Sequence, residues 1–181
     1  MFYKKYFVVL LLIFAMLAAH EVEAKWQINV VVAEDFDVTD LEKIAIVTVE
    51  CAEVVECSAI ERKAYREAMT MRLGFRIATE KQVREALFSG GHTEYSTELR
   101  GFLVEELGLD GVLELKIPFA KRGEGYGGRR GSEAKVEMVL VNPEGAILLH
   151  GVGVGRPKLV VTSPERVAGN VVERLLEKAF K

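Results

Sequence analysis

Lys43-Ile44-Ala45-Ile46-Val47-Thr48-Val49 is a nearly continuous apolar run rich in β-branched residues. A strand with one wet face alternates apolar and polar residues; a run like this one belongs to a strand covered on both sides, so helices must lie above and below it. The segments downstream supply them. Ser58, with Glu61 three residues later, spells a capping box, and Ile60, Ala64, Ala68 and Met71 then recur at helical spacing until Gly74 stops the helix. Residues 75–78 read as a short strand. Thr79 and Gln82 spell a second capping box ahead of Val83, Ala86 and Leu87, and Gly90 and Gly91 end that helix. Thr97 caps a third helix, 98–107, with Leu99, Phe102, Leu103 and Leu107 on one side and Gly108 at its end.

Strands dominate the next stretch. Residues 112–119 read as a strand by β-branched content, and 134–141 with 146–154 form a hairpin about Asn142-Pro143-Glu144-Gly145. Ser163 followed by Pro164 starts a last helix, whose Val167, Val171, Val172, Leu175, Leu176 and Ala179 make a broad apolar face. Upstream of the opening run, residues 26–33 are extended and 34–40 form an acidic loop, but periodicity does not fix their place in the sheet. The expectation is an α/β (α+β) domain: one mixed sheet of about five strands, the early ones parallel and the late ones antiparallel, with three to four packed helices.

Three segments follow from composition. Residues 1–24 have the form of an export signal: Lys4 and Lys5, then the apolar stretch 7–17, then Ala18, Ala19 and Ala24 as small-residue cleavage positions. The apolar stretch falls short of the ~20 residues that span a bilayer. Residues 25–42 form an N-terminal extended segment and 43–181 the α/β domain. The formal net charge of −3 offers no overall basic excess, which argues against nucleic acid as a partner. Cys51 and Cys57 are the only cysteines, and export would carry them to where disulfides persist; a bridge and two buried thiols are both open readings.

Candidate sites are few. Residues 121–131 concentrate Lys121, Arg122, Arg129 and Arg130 around Tyr126 in a glycine-rich loop, a cationic patch suited to the carboxylates or phosphates of a partner. The same loop fits the spelling G-x-G-x-x-G at Gly123, Gly125 and Gly128, but a strand follows it where a nucleotide site needs a helix N-terminus. Gly151, Gly153 and Gly155 alternate with Val152 and Val154, permitting close approach of a ligand, another backbone or a packed helix. His92 and His150 have no ligand partner in sequence. No pair of carboxylates among Asp35, Asp37, Glu105 and Glu106 is spaced for acid/base work, and no G-x-S-x-G elbow occurs. No catalytic, cofactor or metal residue is therefore assigned.

Several phrases resemble the envelope-protein superfamily of the curli-secretion protein CsgG, the penicillin-binding-protein activator LpoB and the TolB N-terminal domain. They are Lys43-Ile44-Ala45-Ile46-Val47, Gly74-Phe75-Arg76-Ile77-Ala78, Glu106-Leu107-Gly108-Leu109-Asp110-Gly111-Val112-Leu113, and Val136-Glu137-Met138-Val139-Leu140-Val141 leading to Pro143-Glu144-Gly145-Ala146-Ile147-Leu148-Leu149. The resemblance runs from about Lys43 to the C-terminus and consists of core and turn chemistry, so it speaks to fold before function. It implies a TolB N-terminal-domain-like fold and a non-catalytic, binding or scaffolding role in the periplasm or cell envelope, with an envelope protein or cell-wall component as partner. A homo-oligomeric structural component and an exported enzyme or small-ligand-binding protein are the alternatives. The lipoprotein cysteine of CsgG and LpoB is missing here, and the short charged loop 121–133 does not suit a membrane-spanning hairpin.

Overall fold

The computed structural model describes residues 25–71, 73–123, 131–157 and 162–180. The export-signal reading, Tyr126, Arg129 and Arg130 lie outside them. Six strands form one mixed sheet, one more than the sequence leads one to expect. In chain order they are β1 (Lys25–Val32), β2 (Lys43–Cys51), β3 (Arg76–Ile77), β4 (Gly111–Lys121), β5 (Glu133–Val141) and β6 (Ile147–Arg156), arranged in space as β1-β6-β5-β4-β2-β3. The additional strand is β1, which pairs antiparallel with β6 from Lys25↔Arg156 to Val32↔Leu149 and forms one edge of the sheet. Strand β2 runs parallel to β3 and β4, whereas β4, β5 and β6 are antiparallel.

Four helices pack on the sheet: α1 (Cys57–Thr70), α2 (Glu80–Ser89), α3 (Arg100–Leu107) and α4 (Pro164–Phe180). On one face α1 and α4 lie over Ile44, Ile46, Leu113, Leu115, Val136, Met138 and Leu149. On the other, α2 and α3 cover Ala45, Val47 and Val112 of β2 and β4. The opening run of β2 is therefore sandwiched, with Ile44 to Val47 all buried, as its unbroken apolar character requires. The second face of β5 and β6 carries no helix among the described residues; there Glu137 and Val139 are half-buried and His150 is exposed.

Local chemistry accounts for most boundaries. Thr79 and Gln82 form the reciprocal capping box, Ser163 Oγ accepts from Arg166 N at 3.2 Å, and Gly108 ends α3 in the left-handed conformation at φ 58°. The Ser58–Glu61 box does not form. Helix α1 starts at Cys57, two residues before a helix capped by Ser58 would, with Ser58 bonded to Glu56, and Glu61 is drawn instead to the sheet, where it accepts the Thr48 N–H at 3.1 Å. Helix α1 also ends at Thr70, short of Gly74. A 3-10 turn, Thr97–Leu99, precedes α3 where a continuous helix is expected. Cys51 and Cys57 are joined by a disulfide, their Cα atoms 5.7 Å apart, tying the end of β2 to the start of α1. No helix among the described residues is long and apolar enough to cross a membrane.

Candidate functional site

Strand direction gives the molecule two unlike ends. At the end where β5 turns into β6, the chain following β1 folds back beside the hairpin. Ala33 N donates to Leu148 O at 2.9 Å and Phe36 N to Ala33 O at 3.1 Å, which stations Phe36 against the turn. The turn itself is held by Asn142, whose Oδ1 accepts from Ala146 N at 2.7 Å, and by Gly145 at φ 87°. Asp110, just ahead of β4, accepts the Glu42 and Lys43 N–H groups at 2.8 and 2.7 Å and anchors the start of β2. These fixed pieces enclose an open cleft of about 490 Å³. Phe36, Leu41, Pro143, Ile147 and Leu148 supply its apolar lining; Asp35, Asp40, Asp110 and Glu144 supply four carboxylates. Ile147 is 58% exposed, a large apolar side chain offered to solvent at the cleft.

At the opposite end, β4 and β5 meet where the basic loop begins. Ser132, almost wholly buried, accepts the Gly123 N–H at 3.2 Å and donates to the Thr162 carbonyl. Beside it Arg156 pairs with Glu133 at 2.6 Å. The loop is thus closed at its base by a hydrogen bond between Gly123 and Ser132. Arg122 is exposed at this base, and Lys121 ends β4. The structure therefore sets Lys121 and Arg122 at one end; the remaining members of the patch, Tyr126, Arg129 and Arg130, fall in the segment not described.

The most buried charged group is elsewhere. Glu114 sits on β4, 3% exposed, facing the layer of α2 and α3. It accepts from Tyr95 Oη at 2.7 Å and from Arg100 Nε at 2.8 Å, with Arg100 Nη2 also at 2.7 Å. Burial and the hydrogen bond to Glu114 push the Tyr95 phenol well above its usual range. Burial pulls the Arg100 guanidinium down, but the hydrogen bond and charge of Glu114 outweigh it and hold it above its ordinary value. The three groups satisfy one another and fasten α3 to the sheet. Glu61 is a second perturbed carboxyl: burial raises it, partly offset by the Thr48 N–H that it accepts.

The other residues singled out from sequence are packing elements. The glycines of β6 admit a helix: a Cβ at Gly153 would collide with Val171 of α4, and one at Gly151 would stand 3.0 Å from Leu175. His92 packs edge-on to Phe102 at 5.8 Å. Among the described residues no group of three or more His, Cys, Asp or Glu is disposed to hold a metal ion. Sequence reading overlooked both the cleft and the Glu114 cluster. The cleft unites loop residues far apart in the chain and has no local signature. Glu114 does have one, a lone carboxylate inside Val112-Leu113-Glu114-Leu115, which must find partners or destabilise the strand.

These features define a class: an α+β domain on a six-stranded mixed sheet, with a cleft at one end of its strands and the base of the basic loop at the other. No family model and no curated protein matches the chain. Among solved structures, the PelC dodecamer from Paraburkholderia phytofirmans is similar, with a TM-score of 0.57 at 12% identity over 86% of this chain and 98% of that one. A second PelC dodecamer structure from the same organism gives 0.57 at 14% over 86% and 99%. The LpoB C-terminal domain from Salmonella enterica aligns at 0.48, with 14% identity over 77% of this chain and 89% of that one. At such identities the likeness to the PelC structures is one of fold.

Proposed function

We propose that this chain is an exported, non-catalytic accessory protein of the cell envelope, akin to the CsgG, LpoB and TolB N-terminal-domain group, that works by binding and assembling proteins. The observation that carries the reading is the cleft. Its apolar lining and carboxylates have the chemistry of a recognition surface, able to bury an apolar anchor while pairing cationic neighbours. The fold shared with a protein crystallised as a dodecamer supports subunit assembly as part of the role. The patch of Lys121, Arg122, Tyr126, Arg129 and Arg130 is the second proposed contact.

Photo-crosslinking in intact cells, with the reactive side chain at Tyr126 or Ile147, tests this. Mass spectrometry is expected to find reproducible protein neighbours attached at those positions and a processed N-terminus near Lys25. Unattached protein retaining residues 1–24 would overturn the proposal. One observation favours a second reading: the cleft's 490 Å³ falls within the range of small-molecule sites, so a cationic amphipathic ligand is its natural occupant if no protein is.

A further inference from the structure

We infer that the cleft of one copy receives the basic segment 124–131 of a second copy, so that the chain assembles head to tail. The inference rests on the protein-binding reading above and names the partner. Charge complementarity is its first support. The cleft presents Asp35, Asp40 and Glu144 around Phe36, Pro143 and Ile147. The segment carries Tyr126, Arg129 and Arg130, and Arg122 precedes it in the chain. Tyrosine offers a large apolar body for the cleft's lining, and arginine forks match carboxylates in pairs.

Chain geometry is the second support, because it excludes the protein's own loop. The register Val112↔Val141 and Lys121↔Glu133 puts the cleft and the loop at opposite ends of β4 and β5. Strand β5 has nine residues, a span of about 30 Å at ~3.4 Å each. The loop is closed at Gly123 and Ser132. Eight residues tied at both ends can reach at most about 14 Å beyond that closure. A copy cannot fill its own cleft; a neighbour's segment can. Because the two surfaces differ, each joined copy still offers one of each, and the contact propagates until a ring closes or a filament grows.

Sedimentation velocity on the protein expressed with its complete sequence provides the test. The unaltered chain is expected to sediment as species larger than a monomer at low ionic strength and to shift toward monomer as salt rises. Reversing the cleft (Asp35→Lys with Glu144→Lys) or the basic segment (Arg129→Glu with Arg130→Glu) should give monomer. Combining the four changes in one chain should restore assembly, since the complementarity is then inverted. Ile147→Ser, which leaves every charge in place, should also weaken association, and circular dichroism checks that each variant is folded. A monomeric unaltered chain, or a folded four-fold variant that fails to reassemble, overturns the inference. Crosslinks from Tyr126 to a different protein in cells would then leave the protein-binding reading standing, and crosslinks to nothing would remove both.

Discussion

Glu114 shows what a single residue can demand of its surroundings. A carboxylate 3% exposed in the middle of a sheet is tolerable only with partners, and Tyr95 and Arg100 both reach its Oε1 from outside the strand. Removing one partner leaves a buried charge uncompensated, which costs more than the pair contributes. Arg100 retains some water, with 22% of its side chain exposed, so Arg100→Ala should destabilise by about 3 kcal/mol, the lower end for broken buried pairs. Tyr95→Phe, which removes one charge-assisted hydrogen bond, should cost about 1.5–3 kcal/mol. Replacing Arg100 and Glu114 together by Met and Leu should recover most of the Arg100→Ala loss. Urea unfolding of the variants measures this; equal losses for the single and joint replacements would show that helix packing, and not the buried charge, is what Arg100 supports.

At the level of elements, β6 and α4 fit each other through glycine. Gly151, Gly153 and Gly155 face Val171, Leu175 and Trp26, and side chains there would hold the helix off the sheet. Gly153→Ala should destabilise by about 1–3 kcal/mol, the usual penalty of overpacking, although alanine suits a strand better than glycine elsewhere. Val152→Ala on the opposite face of the same strand is the control and should cost less, since Val152 is only half-buried; thermal unfolding of both compares them. The same pairing marks how far the sequence could be read. Apolar runs and caps placed β2, β4, the hairpin and α4, because each is decided by its own residues. Whether the β6 glycines faced a helix or a ligand was not, since that depends on α4, which follows later in the chain. Strand β1 reads as extended, but its antiparallel register on β6 is set by a strand more than a hundred positions away. The Ser58–Glu61 box failed for a like reason: a tertiary donor, the Thr48 N–H, outcompeted the local one for the Glu61 carboxylate. The cationic loop was visible as composition, and the acidic cleft that complements it was not.

For the molecule as a whole, strand β2 is the joint between two hydrophobic layers. Ile44 and Ile46 belong to the core under α1 and α4, while Ala45 and Val47 belong to the core under α2 and α3, so neither layer can loosen without exposing the same strand. The Cys51–Cys57 bridge fastens this strand to α1 just past its buried run. Closing so short a loop in the unfolded chain contributes about 2 kcal/mol on the chain-entropy estimate. In a domain of this size each kcal/mol moves the midpoint by roughly 2–4 °C, so reduction should lower Tm by about 4–8 °C. With both layers sharing β2, the transition should remain single. Calorimetry with and without reductant, alongside a Cys51→Ser, Cys57→Ser variant that should match the reduced protein, reads both quantities. Two separated transitions would mean that the layers unfold independently and that β2 does not couple them. The bridge also bears on where the protein works: a disulfide persists outside the reducing cytoplasm, so protein recovered from the envelope should carry it and protein held in the cytoplasm by deletion of residues 1–24 should show the lower midpoint. Equal midpoints for the two preparations would count against export as the condition in which this fold matures.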